Sequence, residues 1–257
     1  MSLRVLSLNC QRGYQSGLRD FLKRTFESGK YDFLLLQEFA KEVPSYVRHI
    51  GPYELLEAHD DDADEPSQLC IAYRKHFKLL ESSLRPFALM RRDPVAGFKH
   101  STFGFLFGRF AIDGNTVLVG SMHLHSGMNA NVRAKQVRKV KEGILSLART
   151  GDRVVFGGDG NFGFPGEGAL AKKILGPEFV CATCGLGATI DSRYVENVPH
   201  LPNRVAAFLS LLCVSVRLRM DYIFVDAHTA SHGKLQSRLL PDRVSDHSPV
   251  ELELHLQ

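Results

Sequence analysis

Apolar residues recur along this chain in two rhythms, and the rhythms mark out its elements. Val250, Leu252, Leu254 and Leu256 alternate with Glu251, Glu253 and His255, the two-residue period of a strand buried on one face. Leu3 to Leu8 is a short apolar segment ending at Asn9, and "YDFLLLQ", Tyr31 to Gln37, predicts a buried strand running into Glu38. Between them Leu18, Phe21, Leu22 and Phe26 share one helical face, with Ser16 as a candidate cap and Gly29 as a stop. A further helix is expected from Pro44 to Ile50. Leu69 to Arg74 and Phe103 to Ile112 read as strands, the second turning at "DGN" into "TVLVGSMHL" as a hairpin. Val132, Val137, Val140, Ile144 and Leu145 mark a helix that ends near Gly151. "RVVFGGDGN" is a strand with a glycine-rich exit, Gly166 to Leu175 a short helix, and strands begin again at Asp221 ("DYIFV") and Ser248.

Strands outnumber helices, hairpins occur, and helices cross between strands. The pattern predicts an α/β fold, a four-layer sandwich of two packed mixed or antiparallel sheets with helices on the outer faces. A doubly wound parallel sheet fits less well, because the hairpin and the alternating last strand are antiparallel features. No internal repeat, low-complexity tract or linker divides the chain, so residues 1–257 are expected to form a single domain.

Composition adds little to this picture. With 44% hydrophobic and 23% charged residues and a net charge of +4, the chain is an ordinary globular protein with no strong electrostatic bias. The longest apolar run, Val205 to Val216, is broken by Ser210 and Ser215 and is too short to span a membrane. No charged start followed by an apolar stretch suggests a secretory signal, and five scattered cysteines suit a reducing, cytoplasmic setting. Cys181 and Cys184 form a lone CxxC without a second pair, which argues against zinc or redox chemistry there.

Polar residues gather where strands should end in turn formers. Asn9, Glu38, His123 and the Asp159-Gly160-Asn161 triplet close strands, while Asp221 and Asp246-His247 open them. Singly, each has an ordinary reading: Asn is a turn former, a Glu is solvated, "GGDG" is a flexible turn, and "SDH" closes on its own backbone. Together, if both sets meet at one sheet edge, they make a rim of acids, amides and imidazoles on a rigid scaffold.

The order "LSLN", "LLLQE", "SMHL", "GGDGN", "MDYIFV", "SDHSPV" resembles the endonuclease/exonuclease/phosphatase superfamily over residues 3 to 256. Its members include deoxyribonuclease I, abasic-site endonucleases, sphingomyelinases, inositol polyphosphate phosphatases and tyrosyl-DNA phosphodiesterases. The resemblance implies a deoxyribonuclease I-like fold and a metal-dependent hydrolase that attacks a phosphoester with water. Glu38, with Asn9 and Asp246, is then expected to hold Mg²⁺, for which Mn²⁺ can substitute, because a hard cation takes oxygen ligands. Asp159 and Asn161, two apart and on one side of an extended backbone, would activate or orient water. His247 and His123 would donate to the phosphoryl group, and Asp221 would keep His247 protonated.

The substrate is less legible. The inositol phosphatase signature is absent, "RLRMDYIFV" standing in its place, and the chain has no Trp. It opens "LNCQRGY" rather than with the Trp-Asn-Val of abasic endonucleases. "GATIDSRYVEN" is loosely similar to the Thr-Trp-Asp-Thr stretch of tyrosyl-DNA phosphodiesterases. Arg91, Arg92 and Lys99, interleaved with phenylalanines, and Arg193 are candidates for a nucleic-acid groove. The helix bearing Arg133, Lys135, Arg138, Lys139 and Lys141 reads as a solvated face, and the acidic run at 60–65 would repel a phosphate backbone. A nucleic-acid phosphodiesterase, working as a monomer without stable membrane association, is the leading expectation. The same chemistry on a small phosphoester or lipid headgroup is the alternative, and an inactive binding module the third reading.

Overall fold

The computed structural model describes residues 2–11, 17–39, 51–58, 69–87, 104–125, 129–162, 166–191, 217–242 and 244–256. In chain order the elements are β1 (Ser2–Asn9), α1 (Leu18–Ser28), β2 (Phe33–Gln37), β3 (Tyr53–Ala58), β4 (Leu69–Arg74), β5 (Lys78–Pro86), β6 (Gly104–Ile112), β7 (Asn115–His123) and α2 (Ala130–Leu147). There follow β8 (Arg153–Asp159), α3 (Glu167–Leu175), β9 (Phe179–Cys181), β10 (Ile190–Asp191), β11 (Arg217–Leu218), β12 (Asp221–Asp226), α4 (Ala227–His232), β13 (Gly233–Leu239) and β14 (Val250–Leu256). Two six-stranded sheets result, ordered β13-β14-β1-β2-β4-β3 and β5-β6-β7-β8-β12-β9, with β10 and β11 paired separately. Each large sheet is mixed. Among the described residues each has one parallel pair, β1–β2 or β7–β8, joined across a helix and flanked by antiparallel strands.

Strand alternation sorts the side chains into layers. Leu3, Val5, Phe33, Leu35, Leu252 and Leu254 face Phe110, Val117, Val119, Val155 and Ile223 across the space between the sheets. Leu6, Leu8, Leu34 and Leu36 point the other way, onto Phe21, Leu22 and Phe26 of α1. Phe105, Phe107, Phe156 and Phe224 on the far side of the second sheet meet Val137, Val140 and Ile144 of α2 and Ala171 and Leu175 of α3. The fold is the four-layer α/β sandwich that the pattern implied.

Local signals explain most boundaries. Asp113 and Gly114, both at positive φ (46° and 78°), make the two-residue turn of the β6–β7 hairpin. Asn129 caps α2, its side chain accepting from the N–H groups of Asn131 and Val132. Gly29, left-handed at φ 55°, stops α1 as expected. Gly17, rather than Ser16, occupies the cap position of that helix, and Ser16 lies outside the described residues.

Other expectations change. β2 starts at Phe33 and β14 at Val250, because Tyr31 and Ser248 sit in connecting turns. β3, β5, β9, β13 and α4 had no clear sequence signal; β13, "GKLQSRL", is an edge strand whose polar residues hide its period. Cys181 and Cys184 are joined in a disulfide, the tight turn after β9 bringing their Cα atoms to 5.5 Å, so that pair does not stand as two thiols. Arg133 is not on a solvated face: it is buried and ion-paired to Glu167, while Lys135, Arg138 and Lys139 of the same helix are exposed. The helix expected at 44–50, the apolar run at 205–216 and the acidic run at 60–65 lie outside the described residues. Among the described residues no helix is long and apolar enough to cross a membrane.

Candidate active site

The strand directions bring the polar ends together. β1 and β2 run in parallel and finish side by side, Asn9 opposite Gln37, with Glu38 next. β14 is antiparallel to β1, so its entry, Asp246-His247, lies at the same edge. In the second sheet β7 and β8 end together, His123 opposite Asp159, and antiparallel β12 begins there with Asp221 opposite Asp159.

Asp159 is the centre. Its Oδ2 accepts from the Asn9 side-chain amide at 2.9 Å, and the Nε2 atoms of His123 and His247 each stand 3.7 Å from the same oxygen. Its Oδ1 accepts from the Asn161 N–H at 2.8 Å. That bond closes an Asx turn, with Asn161 at φ 50°, so Asp159 and Asn161 are not neighbours on an extended strand as the spacing suggested. The Asn161 side-chain amide donates to Leu124 O at 2.7 Å. His247 Nδ1 is 2.7 Å from Asp221 Oδ2. Ser245 donates to Asp246 Oδ1 and accepts from the His247 N–H, which fixes the "SDH" loop. Asn9 also donates to Glu38 Oε1 at 3.2 Å, while its carbonyl accepts from the Gln11 N–H.

Burial divides these groups. Asp159, Asp221 and His247 have side chains only 2%, 1% and 6% exposed, whereas Glu38 and Asp246 are 22% and 16% open. Burial, against the pull of His247 and with a further push from Asp221, raises the Asp159 carboxyl to about 6. For His247, burial favours the neutral ring, but Asp221, Asp246 and Asp159 outweigh it and hold the imidazolium well above its ordinary range. Asp246 is raised first by burial and further by Glu38 and Asp221, with His247 and Ser245 opposing.

Beneath the rim lies a feature absent from the sequence reading. Gln37 Nε2 donates to Ser121 Oγ at 3.0 Å, tying β2 to β7 across the sandwich. Gly158 lets that contact form, since a Cβ there would stand 2.0 Å from Met122 O and 3.0 Å from Gln37 Nε2. The glycines before Asp159 are therefore strand residues at a close approach, not a flexible turn. A lone Gln at the end of "FLLLQ" and a Ser within "VLVGSMHL" were the available signals. Arg91, Arg92, Lys99 and Arg193 lie outside the described residues.

No protein-family model matches the sequence, and no curated protein matches it. Solved structures do match. TDP2 from D. rerio, complexed with a single strand DNA product, is 20% identical over 99% of both chains, with a TM-score of 0.75. Truncated TDP2 from Caenorhabditis elegans is 17% identical over 99% of this chain and 98% of its own, with a TM-score of 0.70. An endonuclease/exonuclease/phosphatase family protein from Bacteroides thetaiotaomicron is 16% identical over 100% of this chain and 98% of its own, with a TM-score of 0.71. The fold is that of the endonuclease/exonuclease/phosphatase proteins. Identities this low carry the endonuclease/exonuclease/phosphatase fold and leave the chemistry to be argued from the rim itself.

The donor set suits a hard cation. Four carboxylates, Glu38, Asp159, Asp221 and Asp246, face two imidazoles, and buried Oδ1 of Asp221 has no hydrogen-bond partner among the described residues. Asp159, Asp221 and His247 each offer a ligand atom within 4.8 Å of the others. In that trio, however, His247 Nδ1 is already engaged by Asp221, whereas Glu38 and Asp246 are carboxylates that solvent reaches.

Proposed function

We propose that this rim hydrolyses a phosphodiester bond by direct attack of water, and that the bond belongs to a nucleic acid. One arrangement carries the reading: a carboxylate oxygen, Asp159 Oδ2, with two imidazole Nε2 atoms each 3.7 Å away. That distance is too long for a direct hydrogen bond, but an oxygen set to one side can lie within about 2.8 Å of both atoms, so a substrate or water oxygen can bridge base and donor. With its carboxyl at about 6, Asp159 is ionised near neutral pH and takes the proton of the attacking water. Asn161 and Asn9 hold it from two sides. His247, kept cationic by Asp221, donates to the phosphoryl oxygens as they gain charge, and His123 donates from the other side.

Glu38 and Asp246 would hold the divalent cation, Mg²⁺ or Mn²⁺. Bound there, it neutralises charge on the phosphoryl oxygens and leaving group. Asn9 would join these two ligands through its side-chain oxygen, which accepts one hydrogen bond from the Gln11 N–H and keeps a second lone pair, while its amide hydrogens go to Glu38 and Asp159. The single strand DNA product bound to D. rerio TDP2 supports nucleic acid over a lipid headgroup, and coverage of 99% of both chains supports reading residues 1–257 as one catalytic unit.

The test is a panel of plasmid, single-stranded DNA, RNA, phosphotyrosyl-DNA and sphingomyelin with Mg²⁺ and Mn²⁺. Hydrolysis of a nucleic acid with a steep loss of affinity as salt rises is expected. Turnover of sphingomyelin alone, indifferent to salt, would establish the lipid reading instead. No turnover of any substrate would leave a binding module.

A further inference from the structure

Asp221 and His247 come from different sheets. β12 delivers the first, the loop into β14 delivers the second, and the two strands are not neighbours in either sheet. Yet the pair closes to 2.7 Å, with both side chains buried. Sheet pairing does not set that distance; the two strands meet only across the packed core, and a further connection is made outside both sheets.

Thr189 makes the connection. It is 1% exposed and precedes β10, outside both large sheets. Its hydroxyl oxygen accepts from two successive backbone N–H groups, Met220 at 2.9 Å and Asp221 at 3.2 Å. Its carbonyl accepts from the Ser248 N–H at 2.8 Å, and its own N–H donates to Leu218 O at 2.9 Å. The following residue, Ile190, forms an isolated antiparallel bridge with His247 itself. One buried residue therefore grips the backbone of Asp221 through its side chain and the backbone beside His247 through its main chain.

We propose that Thr189 is the positioning residue of the Asp221–His247 pair, its hydroxyl fixing the entry of β12 at the distance His247 requires. The proposal rests on the hydrolytic reading of the rim given above. Thr183 provides an internal contrast. It is fully buried and its hydroxyl accepts from the Ile223 N–H at 2.9 Å, the same chemistry two residues further along β12, against the apolar core. If Thr189 merely fastened a loop to the sheet, the two threonines would be equivalent.

The experiment compares Thr189→Val, Thr189→Ser and Thr183→Val. Valine keeps the volume and removes the acceptor, while serine keeps the acceptor. The readouts are kcat and KM on the best substrate of the panel, the thermal midpoint, and the imidazole N–H resonance of His247 in protein carrying ¹⁵N-histidine. Thr189→Val is expected to lower kcat by about tenfold or more with KM nearly constant, since small misplacements in a catalytic array are costly. It should also shift or broaden the His247 resonance. Thr189→Ser should restore both, and Thr183→Val should lower the thermal midpoint while leaving kcat and the resonance as in wild type. Should Thr189→Val not fold, Thr189→Ala replaces it with the same expectation. An unchanged kcat and resonance in the Thr189 variant, or equal losses from Thr183→Val, overturns the proposal while an active wild type keeps the hydrolytic reading. An inactive wild type whose His247 resonance moves only in the Thr189 variant supports the positioning and removes the hydrolytic reading.

Discussion

Replacing Gly158 by alanine should separate the two halves of the rim. Gly158 sits in β8 at φ 138°, one residue before Asp159. Holding an alanine in that conformation costs about 1–3 kcal/mol. Its Cβ would also stand 2.0 Å from Met122 O, which belongs to the strand paired with β8 and cannot rotate aside. Relieving such an overlap costs roughly another 1–3 kcal/mol. The sum is about 2–6 kcal/mol, and in a chain of this size each kcal/mol lowers Tm by about 2–4 °C. Gly114→Ala is the control: its φ is also positive, at 78°, but nothing lies within 4 Å of the added methyl, so only a backbone cost of about 1–2 kcal/mol remains. Relief at Gly158 must move β8 from β7 or push Gln37 off Ser121, and either shift displaces Asp159. A displacement of about 1 Å can cost on the order of 10²-fold in rate. Thermal unfolding by circular dichroism, with single-turnover hydrolysis at a temperature where both variants are folded, makes the comparison. If Gly158→Ala matches Gly114→Ala in Tm and keeps wild-type turnover, the close approach beneath Asp159 does not organise the rim.

Three further outcomes are expected. Asp159→Asn should slow the single-turnover step by about 10²–10⁴-fold and His247→Ala by about 10²–10³-fold, with the double variant losing less than the product because both act on one step; losses within a few-fold would make the strand ends structural. Because Asp221 helps raise the His247 pKa, the imidazolium persists to higher pH in the wild type, so Asp221→Asn should move the basic limb of the pH–rate profile to lower pH, and an unmoved limb refutes that pairing. Exhaustive chelation should abolish turnover and Mg²⁺ or Mn²⁺ restore it, with Glu38→Gln needing more metal; full activity in chelator removes the cation from the scheme.

The fold was readable where one physical signal dominated. Alternation in "VELELHL" placed β14, and the continuous run "FLLLQ" placed β2, because burial on one face or on both leaves a period or a block of apolar residues. β13 escaped because Lys234, Gln236 and Arg238 of an edge strand point to solvent, and its inward Leu235, Ser237 and Leu239 bury too little to show. The rim was legible as a set of polar residues at strand ends, since strand direction alone brings them to one edge. What holds the set was not legible. Gln37–Ser121, Thr189 and the buried Arg133–Glu167 pair depend on partners between 29 and 84 residues away in sequence, and no local pattern records such pairings. Arg133 in particular looked like its lysine neighbours until α3 supplied Glu167.

The pairing of β1 with β14 has a consequence for how the protein comes into being. Arg4 and Glu253, ion-paired across those strands, are 249 residues apart, so β1 leaves the ribosome long before its partner β14. Until then β1 has an open edge on that side, and Asp246 and His247 do not exist. A chain released early, before Val244, would therefore be doubly disqualified: it would lack the donor and one candidate metal carboxylate, and its exposed edge would invite pairing with other chains. The strand that seals the first sheet thus also completes the polar rim, and both are assembled in one late step.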